Sequence, residues 1–184
     1  MPFAAVLDAS VLYPLPLRDT LLRVAETELY DPRWSQQILD EVVRNLVDDR
    51  RASEDQARRL TDAMAAAFDS AAVPQPAIER LEPAMTNDPK DRHVLAAAVV
   101  SDAQAVVTNN LKDFPPDACE PFGIEPLHPD VFLLDLYGMD AHEVVEAVQR
   151  QAAALSRPPL AFDDLLDRLA VTVPGFAQAL RAHR

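Results

Sequence analysis

Asp91-Arg-His-Val-Leu-Ala-Ala-Ala-Val-Val-Ser101, followed by Asp-Ala-Gln and then Ala105-Val-Val-Thr108-Asn-Asn110, decides the fold class. From Arg92 to Ser101 the residues are apolar almost all round the helical repeat, so the pattern predicts a buried helix with Asp91 as its cap. Ala105–Thr108 then reads as a strand, followed by the polar turn Asn109-Asn110. Near the N-terminus, Phe3-Ala-Ala-Val-Leu7 is another short apolar run. Its length and the Asp-Ala-Ser that follows favour a strand with Asp8 at its C-terminal end. Between these strands, Pro14 and Pro16 break the chain and Arg18–Glu28 has helical spacing. Leu29–Trp34 is a connector or an edge strand weakened by Pro32. Ser35–Val47 is a strong helix, capped by Ser35, with a stripe of Ile38, Leu39, Val42, Val43, Leu46 and Val47. Ser53–Phe68 is another, with Ser53 and Gln56 spaced as a capping box. Ala71–Ala77 carries two prolines and reads as a loop, and Gly123–Leu127 as a further strand. The alternation of strands and helices predicts an α/β fold with a parallel sheet.

The chain has 184 residues, 30 acidic and 17 basic side chains, a formal charge of −13 and 49% apolar residues. That apolar content excludes a wholly disordered chain. The charge excludes gripping a polyanion by bulk electrostatics, while leaving room for a local basic patch or an acidic metal site. The one cysteine, Cys119, excludes a disulfide framework within the chain and a multi-cysteine zinc site, and it reads as inert. Three glycines form neither GxGxxG nor a P-loop. The N-terminal residues lack a basic signal region, and no uncharged apolar run approaches the ~20 residues of a membrane span. A soluble, cytoplasmic protein with no membrane association is therefore expected.

Residues 131–184 hold 5 basic and 7 acidic residues, net −2, which leaves −11 on residues 1–130. Helical segments are expected at 129–138 and 140–155, then 162–170 and 175–182, separated by Pro158-Pro159 and Pro174. Their apolar stripe (Val144, Val145, Val148, Leu165, Leu166, Leu169) suits packing on the body or binding a partner helix.

In open parallel sheets, sites form outside the C-terminal strand ends. Asp8 lies at one such end, and Thr108 and Asn110 at another with Asp113 close behind. Asp91 starts the helix between them, and Glu41 lies beside the apolar stripe of the Ser35 helix. Taken singly, Asp91 reads as a cap, Asp8 as a turn former and Glu41 as a solvated helix residue. Brought together, four carboxylates repel and must protonate or bind a cation. All-oxygen donors select hard metals such as Mg²⁺ or Mn²⁺, which suit phosphodiester chemistry.

Four stretches, taken together, resemble the PIN-domain family. They are Val6-Leu-Asp-Ala-Ser10 with Tyr13-Pro14 and Arg18-Asp19; Trp34-Ser35 with Ile38-Leu-Asp-Glu41 and Arg44-Asn45-Leu46; Asp88-Pro-Lys-Asp91-Arg-His-Val-Leu-Ala-Ala-Ala98; and Val107-Thr108-Asn-Asn110-Leu-Lys-Asp113-Phe114-Pro115. The match spans about residues 3–130, in the family's order and spacing, and is most like the VapC-type toxins of toxin–antitoxin pairs. It implies a PIN-like three-layer α/β/α fold with a central parallel sheet, carried by a nuclease domain at 1–130. Residues 131–184 would form a C-terminal helical extension packed on it. It implies an endoribonuclease dependent on Mg²⁺ or Mn²⁺, an RNA substrate, a cognate antitoxin protein and, since the family commonly dimerises, a homodimer. The acidic site carried over is Asp8, Glu41, Asp91 and Asp113, with Ser10, Thr108 and Asn110 as supporting polar groups. Asn110 departs from the pattern of many relatives, which have aspartate there.

Several features keep two readings. Arg44, Arg50 and Arg51, with Arg58 and Arg59, form either a salt-bridged face or a set of phosphate contacts for RNA. Arg18 and Asp19 read as an ion pair at a helix start, Trp34 as core, and His93 as structural. An aspartyl-phosphate phosphatase would need Asp-x-Asp, where this chain has Ser10. A catalytically silent PIN-like scaffold that binds RNA or protein remains the alternative, and four retained carboxylates weigh against it.

Overall fold

The structure, a computed structural model, describes residues 3–155 and 160–183. The expected break at Pro158-Pro159 lies outside the described residues. In chain order the elements are β1 (Phe3–Leu7), α1 (Ala9–Leu12), α2 (Leu15–Ala25), β2 (Tyr30–Arg33), α3 (Gln36–Asp48), α4 (Glu54–Ala67), α5 (Gln75–Leu81), α6 (Arg92–Val100), β3 (Ala105–Val107), α7 (Pro116–Cys119), β4 (Glu125–Leu127), α8 (Pro129–Met139), α9 (Ala141–Ala154), α10 (Phe162–Leu169) and α11 (Pro174–Ala182).

The four strands form one parallel sheet in the order β2-β1-β3-β4. β1 and β3 occupy the middle and are buried on both faces, which is why both read as unbroken apolar runs rather than alternating ones. Right-handed crossovers send the β1-to-β2 and β2-to-β3 connections to opposite faces; α2 packs on β2, and α6 on β1 and β3.

Each outer strand carries a proline. The Trp34 N–H, just past β2, donates to the Ala71 carbonyl on the outer side, so alternation turns Pro32 outward too. On β4 the Glu125 N–H faces inward to the Gln104 carbonyl, which turns Pro126 outward. Both prolines therefore sit where a missing donor removes no bond of the sheet.

Local chemistry explains the helix boundaries. The Ile38 N–H donates to Ser35 Oγ at 3.1 Å, and Ser53 and Gln56 close a full capping box. Two expectations need correction. The second helix starts at Leu15 rather than Arg18, and α5 takes the last three residues of the expected loop at 71–77. In both, proline stands in the first turn, where its absent N–H would be unpaired in any case, so it begins the helix instead of breaking it.

The last four helices join the same buried cluster as the sheet. Their apolar stripe is buried throughout, so it packs on the body and does not stand free for a partner helix. α9 lies along α2. There Thr20 Oγ1 donates to Gln151 Oε1 at 2.7 Å, and Gln151 Nε2 donates to the Pro16 carbonyl at 3.1 Å. Asp130 on α8 accepts from the N–H groups of Gly175 and Phe176 at 3.1 and 2.8 Å and so caps α11. A Cβ on Gly175 would lie 2.9 Å from the Asp130 carboxylate, so this approach requires glycine. Asp130→Ala is expected to lower stability by about 1–2 kcal/mol, the worth of a charged helix cap, as read from the urea unfolding midpoint.

Candidate active site

β1 leads to β2 on one side and its neighbour β3 leads to β4 on the other, so the chain leaves these two C-terminal strand ends in opposite directions and opens a crevice between them. Asp8 is the first residue past β1 and Thr108 the first past β3. The Leu7–Val107 register brings them together. Asp8 Oδ2 accepts from Ser10 Oγ at 2.7 Å and from Thr108 Oγ1 at 2.8 Å. Ser10 is fixed in turn by Asn109, whose backbone N–H donates to Ser10 Oγ and whose side-chain amide donates to the Ser10 carbonyl. The Asn110 N–H donates to Thr108 Oγ1 at 3.0 Å. These bonds set the rotamer of an aspartate that is only 3% exposed. Asp8 Oδ1 takes no hydrogen bond among the described residues.

Beside this network lies a cleft of about 560 Å³. Its lining includes three carboxylates (Glu41, Asp91, Asp113), two cations (Arg44, Lys90) and three amides (Gln37, Asn45, Asn110). Gln37, Glu41 and Asn45 are spaced by four along α3, so one helical face supplies a wall. Glu41 Oε1 lies 3.0 Å from Nε2 of the buried His93 and 4.0 Å from Arg44. Asp113 ends the short turn Leu111–Asp113, and its carbonyl accepts from the Asp88 N–H at 3.2 Å, tying the two acidic loops together.

Asp91 occupies the N-cap position of α6 at φ −109°, ψ 7°, and makes no capping bond through its side chain. The expected cap is therefore absent, and the carboxylate is left to the cleft. Burial pushes its pKa up to about 7, and the charges of Asp8 and Asp113 push in the same direction, with His93 opposing. Mutual repulsion among half-buried carboxylates is the condition that a cation relieves. The donor set is all oxygen and so fits a hard divalent ion. Among the described residues no three ligating side chains already form a closed metal cage, so the carboxylates would have to draw in around an ion.

The cations divide by position. Arg44 and Lys90 line the cleft; Arg50 and Arg51 do not. Arg51 stacks on the Tyr13 ring with its guanidinium carbon 5.4 Å from the centroid, while the Tyr13 hydroxyl donates to Asp49. Arg58 pairs with Glu54 and Asp40. Arg18 is not paired with Asp19: it is buried and donates to the Leu12 and Tyr13 carbonyls, while Asp19 pairs with Arg23. Lys90, Gln37, Asn45 and His93 had no part in the site read from the sequence. The two amides carried a signal, the four-residue spacing from Glu41.

A family model described as PIN domain matches residues 4–112, and one described as VapC50 C-terminal domain matches residues 129–182. The chain belongs to the PIN domain family. Among curated proteins, this PIN domain chain is 46% identical over 98 residues to a protein named putative ribonuclease VapC50 from Mycobacterium tuberculosis. The matched region is 53% of this chain and 58% of that protein. No solved structure matches. Among the described residues of this PIN domain chain, no helix is long and apolar enough to cross a membrane.

The raised Asp91 pKa gives a pH test in metal-free protein. The group's stabilising contribution is complete below its ordinary value of 3.8 and is lost as pH rises toward about 7, because the folded state then holds a proton that the unfolded chain has released. Asp91→Asn should thus melt like wild type near pH 4 and progressively higher than wild type up to about pH 7, with a constant gap above. Equal melting temperatures of the two proteins at pH 8 would contradict the repulsion.

Proposed function

We propose that this chain is an endoribonuclease dependent on Mg²⁺ or Mn²⁺ and the toxin of a type II toxin–antitoxin pair. The observation that carries the reading is a cleft lined by Glu41, Asp91 and Asp113 beside the buried, hydroxyl-bound Asp8, whose charge helps to push the Asp91 pKa up. Family membership and the likeness to a protein named putative ribonuclease support it. The nuclease would occupy residues 1–130, with residues 131–184 as a helical extension. RNA is the substrate and an antitoxin the partner; a homodimer and a cytoplasmic location belong to the same reading.

In this reading Asp8, Asp91, Asp113 and Glu41 would hold the ion. Such an ion, when bound, lowers the pKa of a water and offsets the charge that gathers on the phosphate. Ser10 and Thr108 keep Asp8 in one orientation, which spares reorganisation during the reaction. Asp91 or Asp113 would accept the proton of the attacking water. No side chain becomes covalently attached to the substrate. Arg44 and Lys90, which line the cleft, would meet RNA phosphates and so offset, locally, a chain of net charge −13.

Asp8→Asn keeps an acceptor for both hydroxyls and should fold as wild type does, by circular dichroism and melting. Its RNA cleavage with Mg²⁺ should fall by at least about a hundredfold. Wild-type-like cleavage by this variant would overturn the assignment. Mg²⁺ should also raise the melting temperature of wild type at pH 8 and leave that of Asp91→Asn nearly unmoved. The toxin role is checked separately, by relief of growth arrest when a small DNA-binding protein encoded next to this chain is expressed with it.

A further inference from the structure

Glu41 and Asp91 stand on different helices, and a histidine from the first turn of α6 reaches toward Glu41 from within the core. His93 is fully buried. Its one polar contact among the described residues is Nε2 to Glu41 Oε1, 3.0 Å. The approach lies off the N–H axis of the ring, and neither ring nitrogen has an aligned hydrogen bond. A rotation of the Glu41 carboxylate is needed to align it, and such bonds often tighten only when a site is loaded. Leaving a buried imidazole unpaired is unfavourable, because the desolvation of its polar atoms is not offset. An apolar side chain would fill this interior position without that penalty, so packing alone does not account for histidine. Glu41's other charged neighbour is Arg44, 4.0 Å away and largely exposed, which would draw the carboxylate outward.

We propose that His93 is a positioning residue, whose Nε2–H donates to Glu41 Oε1 and holds that carboxylate toward α6, across from Asp91. The inference rests on the metal-dependent reading above, in which Glu41 completes the oxygen set, and it gives that ligand the outer partner that metal-binding side chains commonly have.

Two amide variants of the full-length chain separate positioning from packing. In His93→Gln the side-chain nitrogen reaches about as far as Nε2; in His93→Asn it reaches only as far as Nδ1 and falls short of Glu41. Mn²⁺ affinity, read by calorimetry, should fall about 10–100-fold in His93→Asn and return to within about threefold of wild type in His93→Gln. In a Glu41→Ala background His93→Asn should change Mn²⁺ affinity less than twofold, because nothing remains for it to position. Equal losses in both backgrounds, or in both amide variants, would overturn the proposal. If His93→Asn does not fold, the comparison of His93→Gln with wild type, with and without Glu41→Ala, decides it: a loss in His93→Gln above threefold that persists without Glu41 overturns it. The metal reading fails separately, if wild type itself binds no Mn²⁺. The contact is then read from metal-free melting, where His93→Asn should lower the transition only when Glu41 is present, and a drop of equal size without Glu41 would overturn the proposal.

Discussion

The pairing of β1 with β3, with Leu7 opposite Val107, is the constraint on which the cleft depends. It sets Asp8 next to Thr108, and a slip of one residue would carry Asp8 to the other face of its strand. The register is held by apolar burial: Val6, Leu7, Val106 and Val107 are all inaccessible to solvent, and each is worth about 1.5–3 kcal/mol. The charges of Asp8 and Asp113 push the Asp91 pKa up, so these carboxylates repel one another. The strands that aim the acidic residues together thus hold them there against that repulsion. The hydroxyls of Ser10 and Thr108 fix the orientation of Asp8, binding one of its oxygens and leaving the other without a partner among the described residues.

Much of this was legible in the sequence, for physical reasons that differ by element. β1 and β3 could be read because strands buried on both faces are short unbroken apolar runs. α3 and α4 could be read because Ser35 and Ser53 cap them in the usual way. The four acidic residues sort themselves by topology, since each stands at a strand end, a helix start or the rim of an apolar stripe. Proline misled, at Pro16 and around Pro74 and Pro76, because a breaker inside a helix and a residue suited to its first turn look alike without a backbone. The role of Asp91 could not be settled either: a cap and a free carboxylate differ only in φ and ψ. Arg18 was read by its neighbour in sequence, whereas its partners are backbone carbonyls five and six residues back.

The C-terminal helices add a second lesson about scale. They are bound to the rest by packing and by the buried side chain of Gln151 on the α2 region, while Asp130 ties α8 to α11 among themselves. Gln151 meets the carbonyl of Pro16, close to the turn where Arg18 holds the end of α1. α1 begins one residue after Asp8. Rigidity at the cleft therefore has a remote contributor, reached through α2 rather than through the sheet.

The two outward-facing prolines limit how this molecule can meet others. A sheet edge that offers N–H and C=O groups invites another chain to add a strand, with little regard to sequence. On the β2 edge Pro32 is buried and the Ala71–Val73 segment pairs with Trp34 just beyond it; on the β4 edge Pro126 removes the outward donor, and the two strands are only four and three residues long. Recognition by backbone is closed off at both ends of the sheet. Whatever binds this protein has to be told apart by side chains on its helices and loops, where sequence can specify one partner and refuse another.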